Sequence, residues 1–448
     1  MNEFVSSSRF NNIHPGLDQA ESLRILSLPV AELESSSDRY MAAAQLLNFP
    51  GRQSEQALLV LLAEEDDTQA TQLAKRKAVE VLARLGCKDA IKSIGKCLIS
   101  DDHYLVENAA WALQQLGCQD QGIINQMVAL LADCRQNRRV LIQSLAGLRV
   151  VQALPEISAL QDDDRPGVRG AAIAAVASLG GSRDRISSLG EQLFLPNQMD
   201  RQSAIQDVID AGAQELLEEV LCAPVSPVFR MRAVRLLWPE AQPLSNGLAL
   251  LDTLDSLLLD SPESLQLVHS YGEKQENLFL INEFFGTDFS RCYLALQTLA
   301  CESGEQLWPL LEQRWLEEAH NDYGAHYFFI RLFAMVANWG AEKAKVESYC
   351  EATIFNRRPQ FSKSRPAAIL ALLHLQPERL NAPLAQLLDP AVESNWECRY
   401  ASWMAVAQMI TMGLSIGTQL VHLHIKTNDP STFVESKKRQ VAGLLADF

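Results

Sequence analysis

The sequence has 448 residues, of which 48% are hydrophobic and 21% charged, and its formal net charge is −16. This hydrophobic share is large enough to build a sizeable core and excludes wholesale disorder. The 55 acidic residues against 39 basic ones disfavour a general nucleic-acid-binding protein, which usually has the opposite balance.

The nine cysteines are odd in number, and no two of them have the spacing CxxC. This pattern disfavours a disulfide scaffold and a zinc site, and it is typical of a reducing compartment. The first residues, MNEFVSSSRF, lack the basic and apolar regions of a secretory signal, and no apolar run is long enough to span a bilayer. We therefore expect a cytoplasmic protein without a metal, a membrane insertion or a nucleic-acid partner.

The first half of the chain contains a helical repeat. Five thirteen-residue windows end at residues 86, 117, 149, 180 and 212, so successive ends lie 31 or 32 residues apart. In each window apolar residues recur with the spacing i, i+4, i+7, as at Ala109, Leu113 and Leu116, which predicts an amphipathic helix. The glycine that ends three of the first four windows predicts a left-handed helix C-cap.

A shorter apolar segment precedes each window, as in EQALLVLLAEE and LPEISALQDD, and predicts a second helix in every repeat. Two helices in about 31 residues are typical of a short HEAT-type hairpin, which buries its apolar face only when hairpins stack. The predicted fold class is therefore all-α, an α/α solenoid of HEAT-like helical hairpins, curved with a concave surface for a ligand or partner.

The period blurs after residue 240, although apolar segments such as SRCYLALQTLA and RPAAILALLHL still predict helices. The proline-rich stretches 223–229 and 238–247 are candidate joints. We therefore divide the chain into a regular N-terminal solenoid, 1–240, and a less regular C-terminal solenoid, 241–448. No segment shows the period-two alternation of a strand, so almost no β-structure is expected.

The second position of the repeat window is basic in six of seven copies: Arg39, Lys75, Val106, Arg138, Arg169, Arg201 and Arg230. We call these residues the basic ladder. Two readings are open, because an arginine binds a carboxylate equally well from an acidic residue of a neighbouring turn, such as Asp163, or from an anionic ligand. The seventh position carries polar or aromatic residues, including Trp111 and Gln143, which indicates either a lined groove or an ordinary solvated face.

The segment NDYGAHYFFIR (321–331) concentrates polar and aromatic residues around Gly324. Asp322, Tyr323 and His326 lie within five positions, a combination suited to proton transfer and to holding a polar conjugated ligand. The alternative is a helix N-cap followed by an aromatic core.

The phrases DDHYLVENAAWALQQLG (101–117), QNRRVLIQSLAGL (136–148) and PGVRGAAIAAVASLG (166–180) resemble the HEAT-like repeats of cyanobacterial phycobilin lyases of the E/F type. The opening RFNNIHPGL (9–17) and DRYMAAAQLLNFPG (38–51) narrow the resemblance to the single-chain branch that acts on phycoerythrin. The resemblance is strong over the first 240 residues and looser up to about residue 410.

The resemblance implies an enzyme that binds a free linear tetrapyrrole and guides a cysteine thiol of an apo-phycobiliprotein subunit onto ring A. We expect phycoerythrobilin as substrate, the apo-phycoerythrin α subunit as partner, no cofactor, and isomerisation of the product to phycourobilin. The expected catalytic residues are Asp322, Tyr323 and His326, with Glu107 and Asn108 as second choices. The expected bilin-binding residues are Trp111, Glu107, Arg139, Gln143, Arg169, Arg201, Asp207, Arg235, Tyr327 and Arg331.

One departure leaves the isomerase activity open. The isomerising subunit of the phycoerythrocyanin lyase carries an Asn-His-Cys-Gln-Gly-Asn motif, and this sequence has no such string. Isomerisation then depends on other residues, or the protein is a lyase only. Two further alternatives are a non-catalytic phycobilisome assembly or degradation factor and a HEAT-repeat adaptor that binds no small ligand.

Overall fold

The computed structural model describes residues 14, 16–238, 249–414, 421 and 424–446. All regular structure in these residues is helical, which confirms the predicted all-α solenoid class. The chain forms two compact units, Met1–Ile186 and Ser187–Phe448. The predicted boundary at residue 240 and most of the candidate joint 238–247 lie outside the described residues, so that division stays a prediction.

The first unit consists of helices joined by short turns. Its helices are α1 (Gln19–Ser27), α2 (Asp38–Gln45), α3 (Arg52–Ala63), α4 (Gln69–Arg84), α5 (Ile91–Lys96), α6 (His103–Gln115), α7 (Gln121–Leu130), α8 (Arg138–Gly147), α9 (Leu154–Ser158) and α10 (Pro166–Ser178). The even-numbered helices correspond to the repeat windows, and each packs against the next one along the chain. The odd-numbered helices α3, α5, α7 and α9 are the predicted preceding helices, which confirms one hairpin per repeat.

The second unit continues with α11 (Ser187–Gln192), α12 (Gln198–Asp210), α13 (Leu217–Cys222), α14 (Pro227–Leu237), α15 (Leu250–Leu259), α16 (Asn277–Glu283), α17 (Phe289–Leu299), α18 (Gly304–Arg314), α19 (Tyr323–Met335), α20 (Lys343–Ile354), α21 (Ser364–Leu375), α22 (Asn381–Leu387), α23 (Trp396–Thr411) and α24 (Thr432–Ala446). A π-helical turn, Trp315–Ala319, follows α18. Helix α21 packs against α19, α20 and α23, and α23 also packs against α24. The candidate joint 223–229 is the turn between α13 and α14 together with the first residues of α14.

The repeat helices end in the predicted left-handed cap. Gly117 has a φ of 67°, its amide donates to Gln114, and the amide of Cys118 donates to Leu113. This pair of hydrogen bonds is the Schellman motif, which satisfies carbonyls that the helix end leaves without partners. The same motif closes the other four windows, at Gly86, Arg149, Gly180 and Gly212. Arg149 adopts a φ of 59° in place of a glycine, so the repeat imposes the conformation even on a residue that disfavours it.

The apolar faces of the repeat helices form a continuous core in the first unit. Ala78, Leu82, Ala109 and Leu113 are fully buried, as the i, i+4 pattern predicts. Within the described residues, none of the helices is both long and apolar enough to cross a membrane.

Candidate functional site

Three of the predicted bilin-binding residues lie on neighbouring repeat helices of the first unit. Glu107 and Trp111 are on α6 and Gln143 is on α8, and all three are half-buried. Glu107 and Trp111 are four residues apart, so they share one face of α6. This position agrees with a surface that a ligand reaches, and their role in binding stays a prediction.

The basic ladder is bonded to the protein itself. Arg138, Arg169 and Arg201 each donate to the carbonyl six residues earlier, namely those of Ala132 (3.0 Å), Asp163 (2.8 Å) and Leu195 (2.8 Å). Ladder members also form ion pairs: Arg39 with Glu64 (2.7 Å), Arg138 with Asp163 (3.1 Å), Arg201 with Asp288 (2.5 Å) and Arg230 with Asp260. Of the two readings, the structure therefore shows the structural one.

Arg201 corrects the predicted bilin-binding set, while Arg169 and Arg139, also in that set, bind backbone carbonyls. Arg201 is fully buried and donates four hydrogen bonds to its own unit, so its guanidinium has no surface for a propionate. Arg169 is half-buried and holds the loop that precedes its helix, and Arg139 likewise donates to the carbonyl of Gly167 at 2.6 Å. These side chains fix the repeats in place.

A buried polar cluster occupies the core of the second unit, and we call it the Asp260 cluster. The carboxylate of Asp260 accepts from Arg230, from the Tyr293 hydroxyl at 2.7 Å and from the Tyr327 hydroxyl, while Arg331 donates to its backbone carbonyl at 3.3 Å. Burial alone would raise the pKa of Asp260, but Arg230, Arg331 and the two hydroxyls together hold it below its usual value. Tyr327 and Arg331 are both predicted to bind the bilin. Their polar groups instead donate hydrogen bonds to Asp260 inside this cluster.

The predicted catalytic residues start helix α19, and the structure separates them. Asp322 is the N-cap, and its Oδ1 accepts from the amides of Gly324 (2.8 Å) and Ala325 (2.7 Å). Tyr323 is 59% exposed and reaches solvent. His326 is buried, with its ring centroid 4.9 Å from that of Trp315 and 4.4 Å from that of Phe361.

His326 is therefore poorly placed for proton transfer. Burial, helped by the positive charges of Arg358, His320 and Lys363, lowers the pKa of His326 to about 3, and its Nδ1 has no hydrogen-bond partner. A neutral imidazole packed between two tilted aromatic rings contributes to the core, which was the alternative reading of the segment 321–331. Asp322 fulfils the predicted N-cap, and Tyr323 remains as the accessible member of the three.

Two other predicted residues have contrasting surroundings. Asp207, on α12, is fully buried, so it does not face a ligand-accessible surface. Arg235, near the end of α14, is exposed and its guanidinium lies 5.4 Å from the centroid of the Trp396 ring. Only Arg235 of these two is placed to meet a ligand or partner.

Sequence reasoning missed a small pocket in the second unit, which we call the Lys363 pocket. Its apolar lining comes from Pro227, Val228, Met231, Leu257, Leu258, Pro366 and Ala367, and its polar lining from Tyr327, Lys363 and Glu397. The cavity has a volume of about 20 Å³, which is room for about one water-sized group. Lys363 comes just before α21 and Glu397 lies in the first turn of α23, so neither position follows the repeat pattern.

Lys363 connects this pocket to the predicted site. Its ammonium lies 4.8 Å from the ring centroid of Phe289, 4.9 Å from that of Tyr327 and 5.4 Å from that of Tyr323. Burial lowers the pKa of Lys363 to about 8, against the attraction of Asp260, Cys292 and Asp322. The exposed ring of Tyr323 thus lies beside the largely buried ammonium of Lys363.

The described residues show no metal centre: none of their histidine, cysteine, aspartate and glutamate side chains form a group of three or more able to hold an ion. All nine cysteines are free thiols, in line with the expected absence of disulfides.

The amino-acid sequence is similar to those of several known proteins. The chain is 43% identical over 410 residues to "Bilin biosynthesis protein CpeY" of Synechococcus sp. (strain WH8020), covering 91% of this chain and 98% of that protein. It is 33% identical over 393 residues to "Uncharacterized phycocyanin operon protein Y" of Pseudanabaena tenuis, covering 87% and 91%. It is 25% identical over 252 residues to "Phycocyanobilin lyase subunit alpha" of Picosynechococcus sp., covering 51% and 93%.

Among solved structures, the complex of CpcE and CpcF of phycocyanin lyase from Nostoc sp. PCC7120 matches with a TM-score of 0.45 and 22% identity, over 57% of this chain and 99% of the matched chain. No family model matches the sequence.

Proposed function

Because this chain belongs to the family of E/F-type phycobilin lyases, we propose that it attaches phycoerythrobilin to a cysteine of the phycoerythrin α subunit and isomerises the product to phycourobilin. The observation that carries the proposal is the similarity to a bilin biosynthesis protein over nearly the full length of both chains. The choice of bilin, subunit and isomerisation rests on the resemblance of the repeat phrases to the phycoerythrin branch.

Ligation adds the thiol of the subunit cysteine to the ethylidene group of ring A. The sulfur forms the thioether bond, the exocyclic double bond is lost, and ring A takes up one proton. The nucleophile belongs to the partner, so this chain needs to hold the bilin and present ring A. The positive charge of Lys363 acts on the thiol of Cys292, but burial raises the pKa of this thiol to about 12 and keeps it protonated at neutral pH. A protonated thiol is a poor nucleophile, which agrees with a nucleophile that comes from the partner.

Isomerisation moves the C4–C5 double bond of ring A to C2–C3. Hydrogens leave C2 and C3 and arrive at C4 and C5, so the step needs proton carriers and no oxidant. Tyr323 is the accessible proton-bearing side chain of the predicted trio, and Lys363 lies against its ring. Asp322 is adjacent and half-buried, with one oxygen already used as the helix cap.

Bilin ligation without isomerisation is the second candidate, and the same geometry favours it. His326 is buried between aromatic rings, and Asp322 caps α19, so two of the three predicted proton carriers are engaged in the fold. An enzyme that only ligates requires a bound bilin, a docked subunit and one proton for ring A, and it does not have to move hydrogens from C2 and C3 to C4 and C5.

Co-expression with the apo-phycoerythrin α subunit and a phycoerythrobilin-producing pathway tests the proposal. Absorbance of the purified subunit and mass spectrometry of its chromopeptides are the measurements. A covalent adduct with the shorter-wavelength absorbance of a shortened conjugated system supports lyase and isomerase together. An adduct that keeps the longer-wavelength absorbance of phycoerythrobilin supports ligation alone, and a folded chain with bilin present but no adduct overturns both.

A further inference from the structure

The Lys363 pocket contains a cation that the fold leaves without a direct ion-pair partner, although Asp260 and Asp322 attract it from a distance. Every other buried or half-buried lysine or arginine of the described residues donates a hydrogen bond or forms an ion pair, whereas the ammonium of Lys363 does neither. Removing an ammonium from water without a counter-ion is unfavourable, and three aromatic ring faces offset this only in part. A group held in this way is suited to receive an anion from a ligand.

The second polar group of the pocket does not neutralise the first. Glu397 is half-buried, its carboxyl forms neither a hydrogen bond nor an ion pair with the described residues, and Arg235 is the charge that acts on it. Burial raises the pKa of Glu397 to about 7, against the attraction of Arg235, so the carboxyl is partly protonated near neutral pH. A protonated carboxyl donates a hydrogen bond, and the pocket then has a positive charge and favours an anion.

The dimensions of the pocket select the kind of group that enters. A cavity of about 20 Å³ has room for about one water-sized group, such as a single carboxylate oxygen, and is too small for a pyrrole ring. Most of the surrounding side chains are apolar, with Met231, Leu257 and Pro366 among them, so the lining suits an anionic oxygen carried by an aliphatic stem. A carboxylate on an aliphatic arm has this chemistry, and it is the chemistry of a bilin propionate.

The alternative anion site, the basic ladder, is already occupied by the protein. Arg201 and Arg230 are buried in ion pairs, and Arg169 holds a backbone carbonyl. A propionate that replaced these partners would have to break bonds that fix the repeats. The Lys363 pocket offers a cation without that cost, next to the exposed ring of Tyr323 on which a conjugated ligand stacks.

We propose that the Lys363 pocket receives one oxygen of a propionate carboxylate of the bilin, with the Lys363 ammonium as its counter-ion and the Glu397 carboxyl as a hydrogen-bonding neighbour. This inference rests on the proposed function for the identity of the ligand. In this arrangement the conjugated system of the bilin stacks on Tyr323 and one propionate binds Lys363. Ring A of the bilin remains free to meet the subunit thiol.

Binding of phycoerythrobilin and of its dimethyl ester, measured without any subunit, tests the pocket. The ester has the same conjugated system and lacks the carboxylate charges. The variant Lys363→Met removes the ammonium and keeps an unbranched side chain against the three rings, while Lys363→Arg keeps a positive charge. Lys345→Met is the matched control, because Lys345 also lies against an aromatic ring, that of Trp308 at 5.6 Å, but is exposed and paired with Glu312 and Glu342.

In Lys363→Met we expect the affinity for the free acid to fall about 10- to 100-fold, the range of a charge-assisted hydrogen bond, with affinity for the ester unchanged. Lys345→Met should bind both ligands as the wild type does, and Lys363→Arg should retain part of the preference for the acid. Equal losses for acid and ester, or no loss for either, would overturn the proposal. Thermal melts confirm that each variant is folded.

A parallel transfer assay separates this inference from the proposed function. Wild-type transfer of bilin to the subunit, combined with unchanged acid binding in Lys363→Met, would overturn the pocket and leave the lyase intact. Acid-selective binding that depends on Lys363, with no covalent transfer by the wild type, would support the pocket and overturn the lyase.

Discussion

Replacing Asp260 with asparagine tests the buried core on which the candidate site is built. Asp260 and Arg230 have side chains that are 1% and 2% exposed, and the carboxylate also accepts from two tyrosine hydroxyls. Asp260 has a left-handed backbone, with φ 43°, a conformation that asparagine adopts as readily as aspartate. Asp260→Asn therefore removes the charge without adding backbone strain or changing the side-chain volume.

The expected cost follows from the cations that the substitution leaves uncompensated. Removing one partner of a buried ion pair costs about 3–5 kcal/mol, and the amide oxygen of asparagine still accepts one hydrogen bond, so we expect about 3 kcal/mol. The control is Glu302→Gln, which breaks a surface ion pair with Lys274, whose side chain is 79% exposed. That pair should contribute at most about 1 kcal/mol.

Native-state hydrogen exchange followed by mass spectrometry is the appropriate assay, because a chain with two units need not unfold in one step. The free energy of opening should fall by about 3 kcal/mol in peptides from α15, which ends next to Asp260, and from α19, which contains Tyr327. The pKa of Asp260 is lowered in the folded state, so its contribution is complete above the unfolded value of about 4 and is lost as the pH falls through the lower folded value. An Asp260→Asn protein as stable as Glu302→Gln would refute the reasoning.

Three further outcomes are expected. Gly117→Ala should lower the stability of the first unit by about 1 kcal/mol in thermal or denaturant unfolding, because the new methyl group meets nothing within 4 Å and only the left-handed backbone is penalised. Asp322→Ala should cost about 1 kcal/mol through loss of the N-cap, whereas Asp322→Asn keeps the cap and removes only the carboxylate charge, so bilin transfer by Asp322→Asn at the wild-type rate would remove the carboxylate from the reaction. Since the pKa of His326 falls from 6.5 to about 3 on folding, the wild type should lose stability as the pH drops through that window, and His326→Phe should lose less; equal pH profiles in circular-dichroism melts would contradict the burial of a neutral ring.

The helices and their ends were predictable because they depend on local sequence. The i, i+4, i+7 pattern located α4, α6, α8 and α10, and the terminal glycines located the left-handed caps at 86, 117 and 180. Even after residue 240, where the period is less clear, the predicted helical segments SRCYLALQTLA and RPAAILALLHL coincide with α17 and α21. Arg399 in α23 repeats the ladder geometry by donating to the carbonyl of Glu393, six residues earlier, at 2.7 Å.

The site was harder to predict because its chemistry depends on residues far apart in the chain. The sequence shows an arginine at a repeated position but not whether its partner is a ligand or a carbonyl, and the structure supplies the carbonyl in the case of Arg169. Asp260 lies at the end of an ordinary apolar helix, and its importance follows only from Arg230 and Tyr327. Lys363 likewise gains its character from three rings that come from two other helices, α17 and α19.

The most direct test of the central claim is an in vitro transfer reaction with purified components. Free phycoerythrobilin and apo-phycoerythrin α subunit are mixed with and without this chain, and the mass of the intact subunit is followed over time. We predict that the subunit gains the mass of one bilin, at one cysteine, at a rate that depends on the chain. Bilin bound by the chain with no chain-dependent covalent gain on the subunit would contradict the assignment as a lyase.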